Sequence, residues 1–318
     1  MAWSARSPPR GSSATTATGC ACTRSPVQHE PGARHHTPSR RAVLRRGVVV
    51  AGVIGAAALG GTAAVVLPTS GRRSEQARAD RMPTGPHESG DVRWIPYLAE
   101  DFDRDAAHGS LLAVYPAMAQ YTGIRDTSGK GLYHPDEVVS VHDSVLDLHL
   151  RSEGGQPLVA TVLPAGYRSY AHQRVSIRYR ADDAPGYKFV MILWPESGDW
   201  NDGEIDWPEG DLGGGVRPVS AVPGSYDTAT GRMTFLPEDA PVLPGGQHDW
   251  HVATVEWTAD AVRFWWDDRL VASTTGAVPT VPMRVTLQAE TTIDDEQVPV
   301  ESDGHVLVDW VVAYRQAG

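Results

Sequence analysis

The sequence has 318 residues and a net charge of −11, and its composition changes sharply near residue 80. Residues 1–79 contain 11 Arg and two acidic residues, so residues 80–318 hold the other 17 basic and 37 acidic residues. A surface this acidic repels phosphate backbones, which excludes nucleic acid as a partner and favours a neutral ligand. Both cysteines, Cys20 and Cys22, lie in the first part, so residues 80–318 have no disulfide and no cysteine nucleophile.

The first 79 residues are typical of an export segment rather than a folded domain. Residues 1–38 are rich in Ser, Thr, Pro, Gly and Arg without apolar periodicity, so we expect a disordered N-terminal extension. Residues 39–79 resemble a twin-arginine signal plus linker, because Arg40-Arg41 precedes an uncharged apolar run over 47–67. We therefore expect export machinery as a partner and a secreted or cell-surface location. The alternative is a protein anchored in the membrane by the run itself, which is long enough to span a bilayer.

Residues 80–318 predict one all-β domain, because short alternating runs recur between clusters of Gly, Pro, Asp and Asn. Residues 145–151 place Leu146, Leu148 and Leu150 on one face and polar residues on the other, as in a half-buried strand. Asp267-Asp268 predicts a hairpin turn. Further strands are predicted at 174–181, 187–194, 251–257, 261–266, 283–289 and 305–314. We expect two packed antiparallel sheets, one of them concave and open to a long ligand.

Three carboxylates lie within six residues of one predicted strand, in the stretch Glu204-Ile-Asp206-Trp-Pro-Glu209. Glu204 and Asp206 are two residues apart and share a face. Glu209 is five residues from Glu204, so a regular strand would send it to the opposite face. A β-bulge at Trp207-Pro208 would return it to the same face, and proline is tolerated at bulges.

Such a cluster has both a catalytic and a non-catalytic interpretation. Retaining glycosidases need two carboxyl groups about 5–5.5 Å apart, one as nucleophile and one as acid and then base. Asp206, lying between the two glutamates, can share a proton with its neighbour and hold one of them protonated near neutral pH. The alternative is a solvated acidic face or a calcium site, since oxygen ligands suit Ca²⁺.

The stretch from Trp194 to Glu209 resembles glycoside hydrolase family 16, whose motif is Glu-x-Asp-x-x-Glu on a concave strand. Similar segments follow the family's order along the chain: Tyr167 to Tyr170, Ala253 to Trp257, Val262 to Phe264, Arg269 to Val271 and Val308 to Tyr314. The resemblance implies a concanavalin A-like β-jelly-roll sandwich with a concave substrate cleft. It also implies that Glu204 is the nucleophile, that Glu209 is the general acid/base and that Asp206 assists.

The same resemblance implies an exported endo-β-glycosidase acting on β-glucan with 1,3 or mixed linkages by double displacement. A β-galactan hydrolase or a transglycosylase is the enzymatic alternative, and a non-catalytic carbohydrate-binding sandwich is the other. Many family members have a histidine on the strand after the motif, whereas Val219-Ser-Ala-Val222 has none. This departure leaves the linkage and the sugar open.

Substrate contacts are predicted from aromatic residues near the motif, because aromatic faces stack on sugar rings. Trp200, in the loop before Glu204, is the first candidate and Trp194 the second; the resemblance adds Gln288.

Hydrolysis needs only water, so no cofactor is required, and we expect a monomer. The family also implies a structural Ca²⁺ on the convex side, and four residues offer oxygen ligands: Glu100, Asp101, Asp103 and Asp309. We favour a solvated acidic surface for these four.

Overall fold

The computed structural model describes residues 81–230, 232–244 and 247–318. The predicted N-terminal extension (1–38) and the export segment (39–79) lie outside these residues. Within the described part of the chain, no helix has the length and apolar character needed to cross a membrane.

The described residues form mainly β-strands. In chain order the strands are β1 His87–Ser89, β2 Val92–Glu100, β3 Ala119–Gln120, β4 Leu132–Tyr133, β5 Val139–His142, β6 Val145–Glu153, β7 Gln156–Leu163, β8 Gln173–Ala181, β9 Tyr187–Pro195, β10 Glu204–Asp211, β11 Arg217–Ala221, β12 His251–Trp257, β13 Val262–Trp266, β14 Arg269–Thr274, β15 Met283–Thr291 and β16 Gly304–Gln316. Two short helices, α1 Leu111–Val114 and α2 Pro135–Val138, and a 3-10 turn, Trp200–Asp202, complete the elements.

The strands pair into two sheets. Sheet I has the order β11-β10-β9-β15-β7, and the short β3 also pairs with β7. Sheet II has the order β5-β6-β16-β8-β12-β13-β14. The second half of β16 also pairs with β2, which pairs with β1. The sheets are joined where the end of β6 pairs with the start of β7, and all these pairs are antiparallel.

A hydrophobic core fills the space between the sheets. Leu146, Leu148 and Leu150 of β6 are fully buried in it, as the period-two alternation predicts. The predicted hairpin turn joins β13 to β14 with Asp267 and Asp268 at φ 49° and 62°. The all-β prediction is confirmed, and the antiparallel sandwich is consistent with a jelly roll.

A second, smaller apolar cluster covers the outside of sheet II. It contains Trp94 of β2 and Trp310 of β16, together with Val312 and Tyr314. Trp310 is buried at 3% exposure in this outer cluster rather than between the sheets, because Trp94 of β2, the strand that pairs with β16, lies in the same cluster.

Candidate active site

Sheet I carries the three clustered carboxylates on β10, and a β-bulge sets their common face. Asp206 lies opposite Ile192 of β9 and Glu209 lies opposite Val190, with a register shift between Asp206 and Glu209. Two residues of β10, Trp207 and Pro208, therefore stand opposite the single residue between those two partners. The predicted bulge is present, and Glu209 returns to the face of Asp206. The Trp207–Pro208 peptide bond is cis.

The bulge is tied to the core by Trp207. Its side chain is fully buried and lies edge-on to Phe264 and Trp266 of sheet II. The indole N–H donates a hydrogen bond of 3.0 Å to the carbonyl of Trp265. Because Trp207 points inward, the neighbouring acids point to the face of sheet I that turns away from the core. We call this the open face.

The register of sheet I places several polar side chains beside the acids on the open face. Gln288 of β15 lies opposite Val190, which lies opposite Glu209. Trp194 of β9 lies opposite Arg284 of β15. Both Gln288 and Trp194 are half-buried. The structure thus brings the predicted contact residues to the face that carries the acids, and their roles toward a sugar remain predictions.

Glu204 and Asp206 form a coupled pair whose protons are held unusually tightly. Burial, above all, raises the pKa of Glu204 to about 7; Glu209 adds to the rise, and a hydrogen bond with Asp206 opposes it. Burial, and then the charges of Glu204 and Glu209, raise the pKa of Asp206 well above its usual value. Asp206 is 3% exposed, and its Oδ1 has no hydrogen-bond partner in the described part of the chain. The pair therefore holds a proton near neutral pH, and the larger rise at Asp206 favours that proton on the aspartate rather than on a glutamate.

Glu209 lies between two cations on neighbouring strands. The Nζ atom of Lys188 (β9) is 3.5 Å from Oε1 of Glu209, and Nη2 of Arg217 (β11) is 3.8 Å from Oε2. The Glu209 side chain is 19% exposed, so it remains accessible from the open face. Two positive charges thus flank one carboxylate of the cluster.

Lys188 is itself held by a buried carboxylate. Its Nζ lies 3.8 Å from Oε2 of Glu290 on β15, and Glu290 is fully buried. The other oxygen of Glu290 accepts hydrogen bonds from the Tyr133 hydroxyl and from the backbone and side chain of Thr127. Burial is the largest single influence on the pKa of Lys188 and lowers it, but Glu290, Glu209 and nearby acids together outweigh burial and raise this pKa above its usual value. Lys188 therefore remains charged beside Glu209.

The loop before β10 brings Trp200 to the acids. The 3-10 turn Trp200–Asp202 ends at Gly203, whose φ of 101° favours glycine. A Cβ there would lie 2.9 Å from the carbonyl of Ala221, so the turn can enter β10 directly only with glycine. The Trp200 ring lies 5.6 Å from that of Tyr226 and 6.4 Å from that of Phe235. The Trp200 side chain lowers the pKa of Glu204, and its N–H has no other hydrogen-bond partner among the described residues.

Several residues of this site were missed in the sequence: Lys188, Arg217, Glu290, Tyr226 and Phe235. A charged residue inside the apolar run of β9 was a usable signal for Lys188. No local signal marks Glu290 as its partner, because the two are 102 positions apart in the chain.

The four acids that could supply oxygen ligands to calcium do not lie together in one group. Glu100, Asp101 and Asp103 can bring one oxygen each within 4.8 Å of one another. Asp309 instead forms an ion pair of 2.6 Å with Arg178. The four acids therefore do not form one group, and a solvated acidic surface remains the prediction for them.

Comparisons with known proteins give matches in structure and none in sequence. No protein-family model matches the chain, and no curated protein matches it. The laminarinase from Rhodothermus marinus matches with a TM-score of 0.58 and 20% identity, covering 73% of this chain and 99% of that one. SCLam, a non-specific endo-β-1,3(4)-glucanase from family GH16, matches with a TM-score of 0.59 and 16% identity, covering 76% and 99%.

A third solved structure comes from work on endo-acting O-glycanases that human gut microbiota express to initiate mucin breakdown. It matches with a TM-score of 0.58 and 16% identity, covering 69% of this chain and 98% of that one. At these identities the likeness establishes the fold. The described domain is thus a β-jelly-roll sandwich of the kind found in these glycan-cleaving enzymes.

Proposed function

We propose that this chain is an endo-acting glycoside hydrolase of family 16 that cleaves β-glucan with retention of configuration. The observation that carries the proposal is the register shift in β10, which puts Glu204, Asp206 and Glu209 on one face. A pure binding domain gains nothing from three adjacent carboxylates and would suffer their repulsion. The fold shared with glycan-cleaving enzymes supports the same assignment.

The reaction follows from two glutamates with different tasks. Glu209 gives its proton to the glycosidic oxygen as Glu204 attacks the anomeric carbon, so one C–O bond breaks while a glycosyl-enzyme ester forms. Glu209, now ionised, takes a proton from water, and the hydroxide oxygen displaces Glu204 from the sugar. The water and the two carboxyl groups suffice, so no cofactor is required.

Asp206 assists by sharing a proton with the nucleophile. Its raised pKa keeps it protonated, so it donates a hydrogen bond that stabilises the ionised form of Glu204. As the ester forms, the negative charge on Glu204 is lost in the new C–O bond, and the proton stays on Asp206. Asp206 thus helps to keep the half-buried nucleophile ionised and available.

For the substrate we propose a β-glucan with 1,3 or mixed linkages, because two of the similar structures are named as a laminarinase and an endo-β-1,3(4)-glucanase. Trp200 and Trp194 offer aromatic faces near the acids, and Gln288 offers an amide. A β-galactan hydrolase or a transglycosylase is the nearest alternative. The similar O-glycanase structure makes a wider panel of glycans worth testing.

The test is replacement of each glutamate by its amide. Glu204→Gln and Glu209→Gln should each reduce release of reducing sugar from laminarin by at least about 10³-fold with the fold intact. Glu301→Gln is the matched control, because Glu301 is exposed on a turn and forms no side-chain hydrogen bond or ion pair among the described residues. Full activity in either active-site variant would remove that residue from the mechanism.

Two further measurements separate the alternatives. NMR of the first product should show the β-anomer before mutarotation if the configuration is retained, whereas the α-anomer would contradict double displacement. Binding without turnover across a panel of β-glucans, galactans and O-glycans would instead support the non-catalytic carbohydrate-binding sandwich.

We also propose that residues 39–79 direct export and that the protein acts as a secreted or cell-surface monomer. N-terminal sequencing of secreted material should find a start near Asp80. Recovery only with membranes would favour the anchor at 47–67. Size-exclusion chromatography with light scattering tests the monomer.

A further inference from the structure

A cluster of imidazoles and carboxylates lies on the outside of sheet II, away from the three acids of β10. His149 of β6 and His305 of β16 are directly paired across the strands, and their rings stack at 4.1 Å with an angle of 10° between planes. Asp303 lies two residues before His305, at the entry to β16. The predicted mechanism uses none of these residues.

The cluster offers three ligand atoms at close range. One nitrogen from each histidine and one oxygen from Asp303 all lie within 4.8 Å of one another. His149 Nε2 is 3.0 Å from Asp303 Oδ1. Two ligands at about 2.0 Å from a tetrahedral ion are about 3.3 Å apart, so a small outward movement of one side chain would admit the ion between them.

A buried carboxylate already orients His305 as a ligand. Nδ1 of His305 lies 2.8 Å from Oδ1 of Asp147, which is 5% exposed and also contacts Nε2 of His142 at 3.0 Å. A carboxylate behind a histidine fixes its tautomer and leaves the far nitrogen free to bind a metal. That nitrogen, Nε2 of His305, has no hydrogen-bond partner among the described residues.

The site is open to solvent on its outer side. The side chains of His149, His305 and Asp303 are 25%, 35% and 57% exposed. Three protein ligands leave the fourth position of a tetrahedral ion for water. Imidazole and carboxylate together suit Zn²⁺ and similar transition-metal ions, whereas Ca²⁺ prefers six or more oxygens.

We propose that His149, Asp303 and His305 bind a transition-metal ion of the Zn²⁺ class, with Asp147 positioning His305. The ion cross-links β6 to the start of β16 at the outer surface of sheet II. Its effect is on the stability of the folded domain rather than on the chemistry at β10. The inference is independent of the proposed hydrolase activity.

The test measures the thermal midpoint of the full chain with and without zinc chloride. Every protein in the test, the parent included, carries Cys20→Ser and Cys22→Ser, because the two cysteine thiols could bind zinc themselves. Zinc well above its Kd should raise Tm by about 5 °C or more, since only the folded state holds the site. His149→Gln and His305→Gln should each abolish the rise, and an excess of Ca²⁺ should produce none.

His251→Gln is the matched control. His251 also lies on sheet II, pairs with Asp267 at 2.8 Å and stacks on Trp266, but it belongs to no group of three metal ligands among the residues that the structure describes. This variant should keep the full zinc effect. The proposal would be overturned if zinc did not raise the Tm of the parent chain. It would also be overturned if zinc still raised the Tm of His149→Gln and His305→Gln.

Asp303→Asn provides a second test of the site. It leaves the stacked histidine rings undisturbed, because Asp303 is exposed. Co²⁺ bound to nitrogen and oxygen ligands should give visible d–d absorption in the parent chain, and Asp303→Asn should weaken or remove it. An unchanged Co²⁺ spectrum in Asp303→Asn, with the fold intact, would exclude Asp303 as a ligand.

Discussion

Asp206 in sheet I and Asp147 in sheet II are both buried on a strand, yet their surroundings are opposite. Asp206 has two glutamates beside it, and the pKa of its carboxyl is raised well above its usual value, first by burial and then by those charges. Burial also tends to raise the pKa of Asp147, but hydrogen bonds with His305 and His142 bring it below its usual value. One aspartate is protonated among like charges and the other is ionised among partners.

The difference separates a site arranged for reaction from a site arranged for structure. Like carboxylates in a buried setting cost stability unless something uses them, and perturbed pKa values of this kind concentrate at functional sites. Around Asp147 each charge has a partner, which is what a stable fold requires of buried polar groups. Burial alone would not have distinguished the two aspartates.

Apart from the two glutamates, the largest expected effect comes from Lys188, the cation between Glu209 and Glu290. Lys188→Met leaves Glu290 buried without its cation, so we expect the free energy of unfolding to fall by about 3 kcal/mol or more. We also expect kcat to fall by about 10²-fold, because Glu209 loses the group that positions it. Chemical denaturation and initial rates measure the two effects.

A second substitution separates these effects. In Lys188→Met/Glu290→Gln the buried charge is neutralised, so stability should recover while kcat stays low. If both recover, Lys188 serves only to neutralise Glu290 and does not position Glu209.

Two amide substitutions test the opposition between the aspartate sites through stability. Asp147→Asn should destabilise the fold by about 1.5–3 kcal/mol at pH 8, because charged hydrogen bonds are lost. Glu204→Gln should stabilise it at the same pH by about 1–3 kcal/mol. With a folded pKa of about 7, above its unfolded value, Glu204 binds more protons when folded, so wild-type stability falls from about pH 4.5 to 7.

The gain from Glu204→Gln should therefore vanish below about pH 4.5. Denaturation curves at pH 4 and pH 8 check both variants. The contrast between the two aspartate sites would be contradicted if Asp147→Asn stabilised the fold at pH 8. It would also be contradicted if Glu204→Gln destabilised the fold at that pH.

The pH profile sharpens the interpretation of the coupled pair. Because the nucleophile must be ionised, kcat/KM should fall as pH drops below about 7, the pKa to which burial raises Glu204. Asp206→Ala removes the hydrogen bond that lowers this pKa, so the acid limb should move to higher pH. Asp206→Asn keeps a donor and should move it less. A shift to lower pH in Asp206→Ala would mean that Asp206 acts as a repelling charge.

The smallest expected effect concerns Trp200. Trp200→Ala should raise KM for a long glucan by about 5–10-fold, the value of one aromatic contact, and change kcat little. Trp200→Phe retains a ring and should recover most of the affinity. An unchanged KM in Trp200→Ala would assign the ring to packing with Tyr226 and Phe235.

The strands were predictable where one face is polar and the other apolar. β6, β8, β12 and β16 were predicted nearly to their ends, because burial on one side imposes a period of two. The bulge in β10 was predictable because the acids had to meet and proline marks a break in pairing.

Long-range contacts were not predictable from local pattern. Alternation placed Asp147 outward, which is correct, yet His142 and His305 cover it from two other strands. The ion pair of Lys188 with Glu290 depends on β9 and β15 being neighbours in the sheet. The hydrophobic pattern of either strand does not indicate which strand lies beside it. Charge pairs across a sheet are fixed by topology, so they appear only once the strand order is known.

The bulge in β10 is a place where the strand can lose one residue without moving Glu209 to the other face of the sheet. Trp207 and Pro208 together fill the space of one residue, so loss of Pro208 would restore regular alternation and leave Glu209 on the open face. Loss of Ile205 would instead turn Glu204 away from Asp206. A chain whose two glutamates are four residues apart on a regular strand can therefore present them on one face, as this chain does with a spacing of five. The spacing of the glutamates alone is therefore a poor criterion for distinguishing the two kinds of chain.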